Sequence, residues 1–243
     1  MDTPIATPLP NWPFRWHVSV VDETGSTNAD LLAAASSGAP DRTVLAARHQ
    51  TAGRGRLDRQ WDAPPGTNLL VSLLFRNVPG DPHVLTQRVA LAAAIACEHL
   101  ANVRPVLKWP NDLLLDGRKL AGVLAQAQLG ARPAVVVGIG INVGWAPPEA
   151  ALVGHDVQPL DLLAEMLQAY DELPDDAWLM YRDRLGTIGK RVRVELPVGS
   201  SPDVLEGRAV DVDPDGQLVV VDDAGRTHRF AVGDVVHLRP AGE

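Results

Sequence analysis

The sequence predicts an α/β fold in two parts: a larger region that mixes strands with helices, and a small all-β tail. Two observations carry this expectation. Up to residue 185, β-branched apolar runs are interspersed with segments that carry helix start and stop signals. After Gly186, short strands follow at regular spacing with Asp- and Gly-containing turns between them, the pattern of a small barrel.

Taken in order, residues 1–14 carry four prolines and read as a loose arm. Residues 16–21 alternate as a strand. Ser26-Thr27-Asn28-Ala29-Asp30 supplies N-cap residues and an early acid before Leu31-Leu32-Ala33, and Gly38 stops that short helix. Residues 43–47 form a strand that enters a glycine–arginine loop. Residues 68–75 are a strongly apolar strand, and residues 84–100, alanine-rich and free of Pro and Gly, predict a buried helix. Strands follow at 106–109, 121–128 and 134–143; the last is β-branched and reads as central in a sheet. Residues 161–173 and 175–185 read as helical. In the tail, strands at 191–196, 204–212, 217–222 and 227–238 are joined by Asp213-Pro214-Asp215-Gly216 and Asp223-Ala224-Gly225 turns. The domains expected are therefore an arm at 1–14, a catalytic-sized region at 15–186 and a small β domain at 187–243.

Composition narrows the function classes. A chain of 243 residues with 46% hydrophobic residues can bury a real core. A net charge of −8 argues against broad nucleic-acid binding, so a local basic loop reads as a focused ligand site. The single cysteine, Cys97, fits a reducing cytoplasm and reads as packing. No membrane-spanning run, signal peptide or structural zinc cluster is expected. His49 reads as a loop residue.

Four segments can carry chemistry. Gly53-Arg54-Gly55-Arg56 interleaves residues that let backbone N–H groups approach a ligand with residues that carry a permanent, planar charge. It suits a small anion. Gly25-Ser26-Thr27-Asn28 is either a helix cap or a polar grip near a helix N-terminus. Lys108-Trp109-Pro110-Asn111-Asp112 marks a strand end, and Arg118-Lys119 is either a solvated hairpin or part of a site. Gly138-Ile139-Gly140-Ile141-Asn142 places glycines inside a strand, explained by a bulge or by close approach of a ligand or backbone. The phosphate-loop and dinucleotide fingerprints are missing.

Together and in this order, Ser-Thr-Asn, Gln-Thr-Ala-Gly-Arg-Gly-Arg, Lys-Trp-Pro-Asn-Asp, Lys-Leu-Ala-Gly and Gly-Ile-Gly-Ile-Asn resemble the biotin–protein ligases over residues 22–143. The tail resembles that family's SH3-like C-terminal domain more loosely. The resemblance implies a mixed β-sheet with flanking helices and a two-step reaction. Biotin's carboxylate attacks the α-phosphate of Mg-ATP, giving biotinyl-5′-adenylate and pyrophosphate. A lysine of a biotin carboxyl carrier domain then takes the biotinyl group and AMP leaves.

By the same resemblance, Ser26, Thr27, Asn28 and Gln50 hold biotin's ureido ring, and Gly53, Arg54, Gly55 and Arg56 close over biotin and its adenylate. Lys119 and Arg56 are the catalytic residues, with Lys119 between the biotin carboxylate and the α-phosphate, and Gly122 lies beside the biotin tail. Arg54, Trp61, Asn111, Gly138, Gly140 and Asn142 join Lys119 around ATP or the adenylate, with Asp112 meeting Mg²⁺ through ATP and Lys108 assisting. Only about 20 proline-rich residues precede these motifs, so a ligase without repressor activity is expected, as monomer or homodimer, with no nucleic-acid or membrane partner. The rivals are a lipoyl or octanoyl ligase of the same fold, whose Arg-Arg-x-Ser-Gly-Gly-Gly stretch is replaced here, and a non-catalytic biotin-binding module.

Overall fold

β1 (His17–Thr24), α1 (Thr27–Ser36) and β2 (Thr43–Gln50) form a strand–helix–strand unit in which β1 and β2 pair in parallel. The computed structural model describes residues 10–78, 82–129, 132–196, 203–231 and 233–238. The first nine residues of the proline-rich arm lie outside them. β3 (Leu69–Phe75), β4 (Val106–Lys108), β5 (Asp112–Leu115), β6 (Arg118–Gln128) and β7 (Ala134–Ile141) complete a seven-stranded sheet of order β1-β2-β3-β7-β6-β5-β4. Every pair beyond β1–β2 is antiparallel, so the sheet is mixed, as expected.

The period of two in β7 divides the protein's apolar interior. Val135, Val137, Ile139 and Ile141 join the main core, together with α2 (His83–Ala101) and α3 (Pro159–Glu172). Ala134 and Val136, on the other face, meet Leu31 and Ala35 of α1. The next residues on that second face are Gly138 and Gly140. There α1 has its first turn, and the sheet surface sinks into a trough.

α2 has 19 residues and a mean hydropathy of 1.2, so it meets the length and composition of a membrane span, contrary to the sequence reading. Eleven of its residues are buried, and its alanines allow α3 to pack closely, which makes it a core helix. Cys97 lies within this core; burial pushes its thiol up to about 12, which keeps it unreactive and fits a packing role. The helix expected over 175–185 is shorter, α4 (Trp178–Asp183).

The second sheet has order β11-β10-β9-β8-β12 and is wholly antiparallel, built from β8 (Arg191–Leu196), β9 (Asp203–Val212), β10 (Leu218–Asp222), β11 (Thr227–Phe230) and β12 (Asp234–His237). The single strand expected over 227–238 is two strands, because β11 pairs with β10 while β12 crosses to β8. Trp109 ties the two sheets: its indole donates to Gly216 O at 2.9 Å, and its backbone N–H donates to Thr187 Oγ1 at 3.0 Å. Thr187 Oγ1 also lies within hydrogen-bond distance of His237 Nε2, 3.1 Å away.

Burial, reinforced by Lys108 and Lys190, pushes His237 down to about 4 from an ordinary value of 6.5. Between these values the unfolded chain binds a proton that the folded chain refuses, so this contribution to stability is lost as pH falls from 6.5 to 4. The urea midpoint is expected to fall across that window, and His237→Gln to flatten the fall. An unchanged slope in the variant would remove His237 from the interface's pH response.

Candidate functional site

The trough on the second face opens into a cavity of about 540 Å³, within the range of small-molecule sites. Its floor pairs Gly122 with Gly140 and Leu124 with Gly138 across β6 and β7. The glycines are there for close approach, and the ladder runs without a bulge at either position. A Cβ at Gly138 would lie 2.2 Å from Asn28 Oδ1, and one at Gly140 would lie 2.5 Å from the Trp61 indole. Gly138→Ala must therefore displace Asn28, and a stability loss of about 1–3 kcal/mol is expected by urea denaturation. A loss near zero would show that Asn28 moves freely.

The polar wall comes from the start of α1. Ser26 is the N-cap residue, yet its side chain makes no capping bond, which decides against the helix-cap reading of its hydroxyl. Thr27 donates its backbone N–H to Gln50 Oε1 at 2.8 Å, which anchors the Gln50 amide. Asn28 Nδ2 donates to Leu124 O at 3.2 Å and to Gln126 Oε1 at 2.9 Å.

Lys119 reaches the trough through a two-step device. Asp116 and Gly117, with φ of 50° and 75°, form a two-residue hairpin turn between β5 and β6, where positive φ at both positions matches the strand twist. A bulge follows: Leu114 pairs with Lys119 but Leu113 pairs with Ala121, so Leu120 is an extra residue. That residue reverses the side-chain alternation and puts Lys119 on the same face as Gly122. A Cβ at Gly122 would lie 3.2 Å from Lys119 Nζ. Lys119 Nζ lies 2.7 Å from Asp112 Oδ1 and 5.7 Å from the Trp61 ring centroid. The Asp112 contact is an ion pair with poor angles, and Oδ1 has no aligned donor. The Trp61 indole N–H is likewise buried without an acceptor.

The glycine–arginine loop folds back on itself. Arg54 bridges Gln60, Gly55 N donates to Arg59 O at 2.6 Å, and Arg56–Asp58 form a 3₁₀ turn. Arg56 donates to Asn111 Oδ1 at 3.2 Å and to Gly233 O at 2.9 Å. Burial lowers its pKa, with Asp234 and Asp112 opposing that shift and Arg59 adding to it, but an arginine stays charged. Arg59 pairs with Asp234 of the second sheet. Arg54 makes no ion pair among the described residues. Two guanidinium groups, those of Arg54 and Arg56, therefore face the cavity without a carboxylate bonded to them.

Ser26, Thr27, Asn28, Gln50, Arg54, Gly55, Arg56, Trp61, Asn111, Asp112, Lys119, Gly122, Gly138, Gly140 and Asn142 all line this one cavity. Gly53 and Lys108 do not. Gly53 is a packing position, where a Cβ would meet Trp61 O at 2.4 Å. Asn142 has its amide committed to Ala151 O and Asn68, so it shapes the wall and offers little to a ligand. His49 sits in β2 and bonds Glu23, not in a loop. Sequence reasoning missed Asp234, Trp145 and Glu149 on the cavity wall. It also missed Asn68, whose Oδ1 accepts from Val143 N and Trp145 N and fixes the loop after β7.

Comparison with known proteins places this geometry. The model of the biotin/lipoate A/B protein ligase family matches residues 20–142, and that of the biotin protein ligase C terminal domain matches residues 187–238. A biotin–[acetyl-CoA-carboxylase] ligase of Mycobacterium tuberculosis is 44% identical over 91% of this chain and 89% of its own. The chain belongs to the biotin/lipoate A/B protein ligase family. A Paracoccus denitrificans relative of the same description is 34% identical over 84% of this chain and 93% of its own. Among solved structures, the biotin protein ligase of Aquifex aeolicus shares the fold with a TM-score of 0.76 and 24% identity, covering 92% of this chain and 99% of that one. The segments that carry the resemblance, far apart in sequence, converge on one trough.

Proposed function

We propose that this chain is an ATP-dependent biotin–protein ligase that forms biotinyl-5′-adenylate and transfers biotin to a lysine of a carrier domain. The carrier belongs to a biotin-dependent carboxylase, in keeping with the naming of the 44%-identical relative. The observation that carries the reading is the convergence of the α1 polar wall, Lys119 and the arginine loop on one cavity. The lone, buried Cys97 supports a cytoplasmic setting.

The chemistry follows from charge. Joining a carboxylate to a triphosphate brings two anions together, and Lys119 with Arg54 and Arg56 offsets their repulsion as charge shifts in the transition state. The polar wall holds the ureido end, so the carboxylate end points along the glycine floor toward Lys119. The nucleotide lies toward Asn111, Trp61 and the loop after β7. Among the described residues no group of three His, Cys, Asp or Glu can cage a metal. Asp112, which lines the cavity, would meet an ion that arrives on ATP, and that ion would neutralise polyphosphate charge. The arginine loop excludes water from the acyl phosphate.

The test incubates the chain with Mg-ATP, a carrier domain and either biotin or lipoate. Biotin-dependent pyrophosphate release with labelling of the carrier is the expected result. Labelling with lipoate alone, or biotin binding without turnover, would overturn it.

A further inference from the structure

Ser72 lies beneath the polar wall. It is wholly buried on β3, pairs with Gly138, and does not line the cavity. Its Oγ is 2.7 Å from Thr27 Oγ1 and 2.6 Å from Asn28 Oδ1. Thr27 Oγ1 is also 2.9 Å from Gln50 Oε1. Two hydroxyl protons thus serve three oxygen–oxygen contacts.

Backbone groups fix which atoms of the two amides face the hydroxyls. Gln50 presents oxygen, because that atom accepts the Thr27 backbone N–H. Asn28 presents oxygen to Ser72, because its nitrogen faces the Leu124 carbonyl. Asn28 Oδ1 needs a donor, and Ser72 supplies its only proton. Thr27 then has one proton and two acceptors, Gln50 Oε1 at 2.9 Å and Ser72 Oγ at 2.7 Å, both within the usual O–H···O range. When its proton turns to Ser72, Thr27 Oγ1 and Gln50 Oε1 both present lone pairs to the cavity. Both line the cavity, and the pair is completed by a ligand N–H placed between or beside them.

We propose that Ser72 sets the hydrogen-bond polarity of this wall, making Thr27 and Gln50 acceptors that select a ligand with an N–H donor. The proposal rests on the ligase reading, in which that ligand is the cyclic urea of biotin. Ser72 acts as a positioning residue, through Thr27. In Ser72→Ala the Thr27 proton turns to Gln50, and the wall no longer demands an N–H. A site built to bond an N–H rejects the analogue lacking it far more strongly than a site without that demand.

The experiment measures binding of biotin and of its two cyclic carbamates, in which one ring N–H is replaced by oxygen. Wild type is expected to favour biotin over the more sensitive carbamate by on the order of 10²-fold. In Ser72→Ala that ratio falls about tenfold while the KM for ATP stays unchanged, which a general loss of structure would not produce. Thr27→Val lowers the ratio as well, and the double variant is no worse than Thr27→Val, because both act through one relay. An unchanged ratio in either single variant, or additive effects in the double, would overturn the proposal. If Ser72→Ala misfolds, Ser72→Cys, which keeps the shape and offers only a weak sulfur acceptor to Thr27, takes its place with the same expected fall in the ratio. Wild type that binds biotin with no preference over the carbamates sinks this proposal alone. Wild type that binds no biotin sinks the ligase reading and this proposal with it.

Discussion

Lys119→Ala is expected to lower biotin-dependent pyrophosphate release by about 10²-fold or more, comparable with removing one preorganised charge stabiliser. The reason lies in the bulge at Leu120, which puts Nζ over Gly122 on the trough floor. No other lysine lines the cavity, so no second amine is at hand to replace it. Asp112 holds Nζ at 2.7 Å, and in the proposed reaction an entering carboxylate or phosphate would take over the ammonium as its counter-ion. The variant leaves Asp112 without its cation, so a control separates charge loss from damage. Lys119→Ala should still bind biotin through the polar wall, which is built on α1 and β2, and should still accept preformed biotinyl-adenylate for transfer. Rapid-quench measurement of adenylate formation against transfer distinguishes the steps. Near-normal adenylate formation in Lys119→Ala would remove this residue from the mechanism.

Much of this site was legible in the chain because its parts obey local rules. Glycines inside a β-branched strand signal close approach, and Gly138 and Gly140 do receive Asn28 and Trp61. A Ser-Thr-Asn cluster before an apolar helical run marks a helix N-terminus, and α1 begins at Thr27. What escaped is non-local. The bulge at Leu120 depends on pairing between β5 and β6, and nothing in Lys-Leu-Ala-Gly alone announces it. Asp234 reaches the cavity only because the second sheet docks through Trp109, more than a hundred residues away in the chain. Ser72 sits unmarked in a run of leucine and valine, and its role depends on its two partners Thr27 and Asn28 in α1 and, through Thr27, on Gln50 in β2. The single strand expected over 227–238 failed for a similar reason: its two halves pair with different neighbours.

Arg56→Ala is expected to release biotinyl-adenylate before transfer, read as biotin label on bystander lysines. Arg56 joins the glycine–arginine loop to the rest of the site through Asn111 Oδ1 at 3.2 Å and Gly233 O at 2.9 Å. Both acceptors are neutral, so its charge remains available to the adenylate phosphate, and its burial strengthens that interaction. Removing it loses two hydrogen bonds to a charged donor, each about 1.5–3 kcal/mol, from a loop otherwise held across by the exposed Arg59–Asp234 pair. Adenylate formation depends chiefly on Lys119 and should fall less than release rises. The mixed anhydride that escapes acylates any amine it meets, so label on an added bystander protein should rise by tenfold or more, the effect of about 1.4 kcal/mol lost from retention. Arg59→Ala, which removes only the surface ion pair, should leak far less. If Arg56→Ala keeps its label on the carrier lysine alone, the loop does not retain the intermediate, and the guanidinium acts only in forming it.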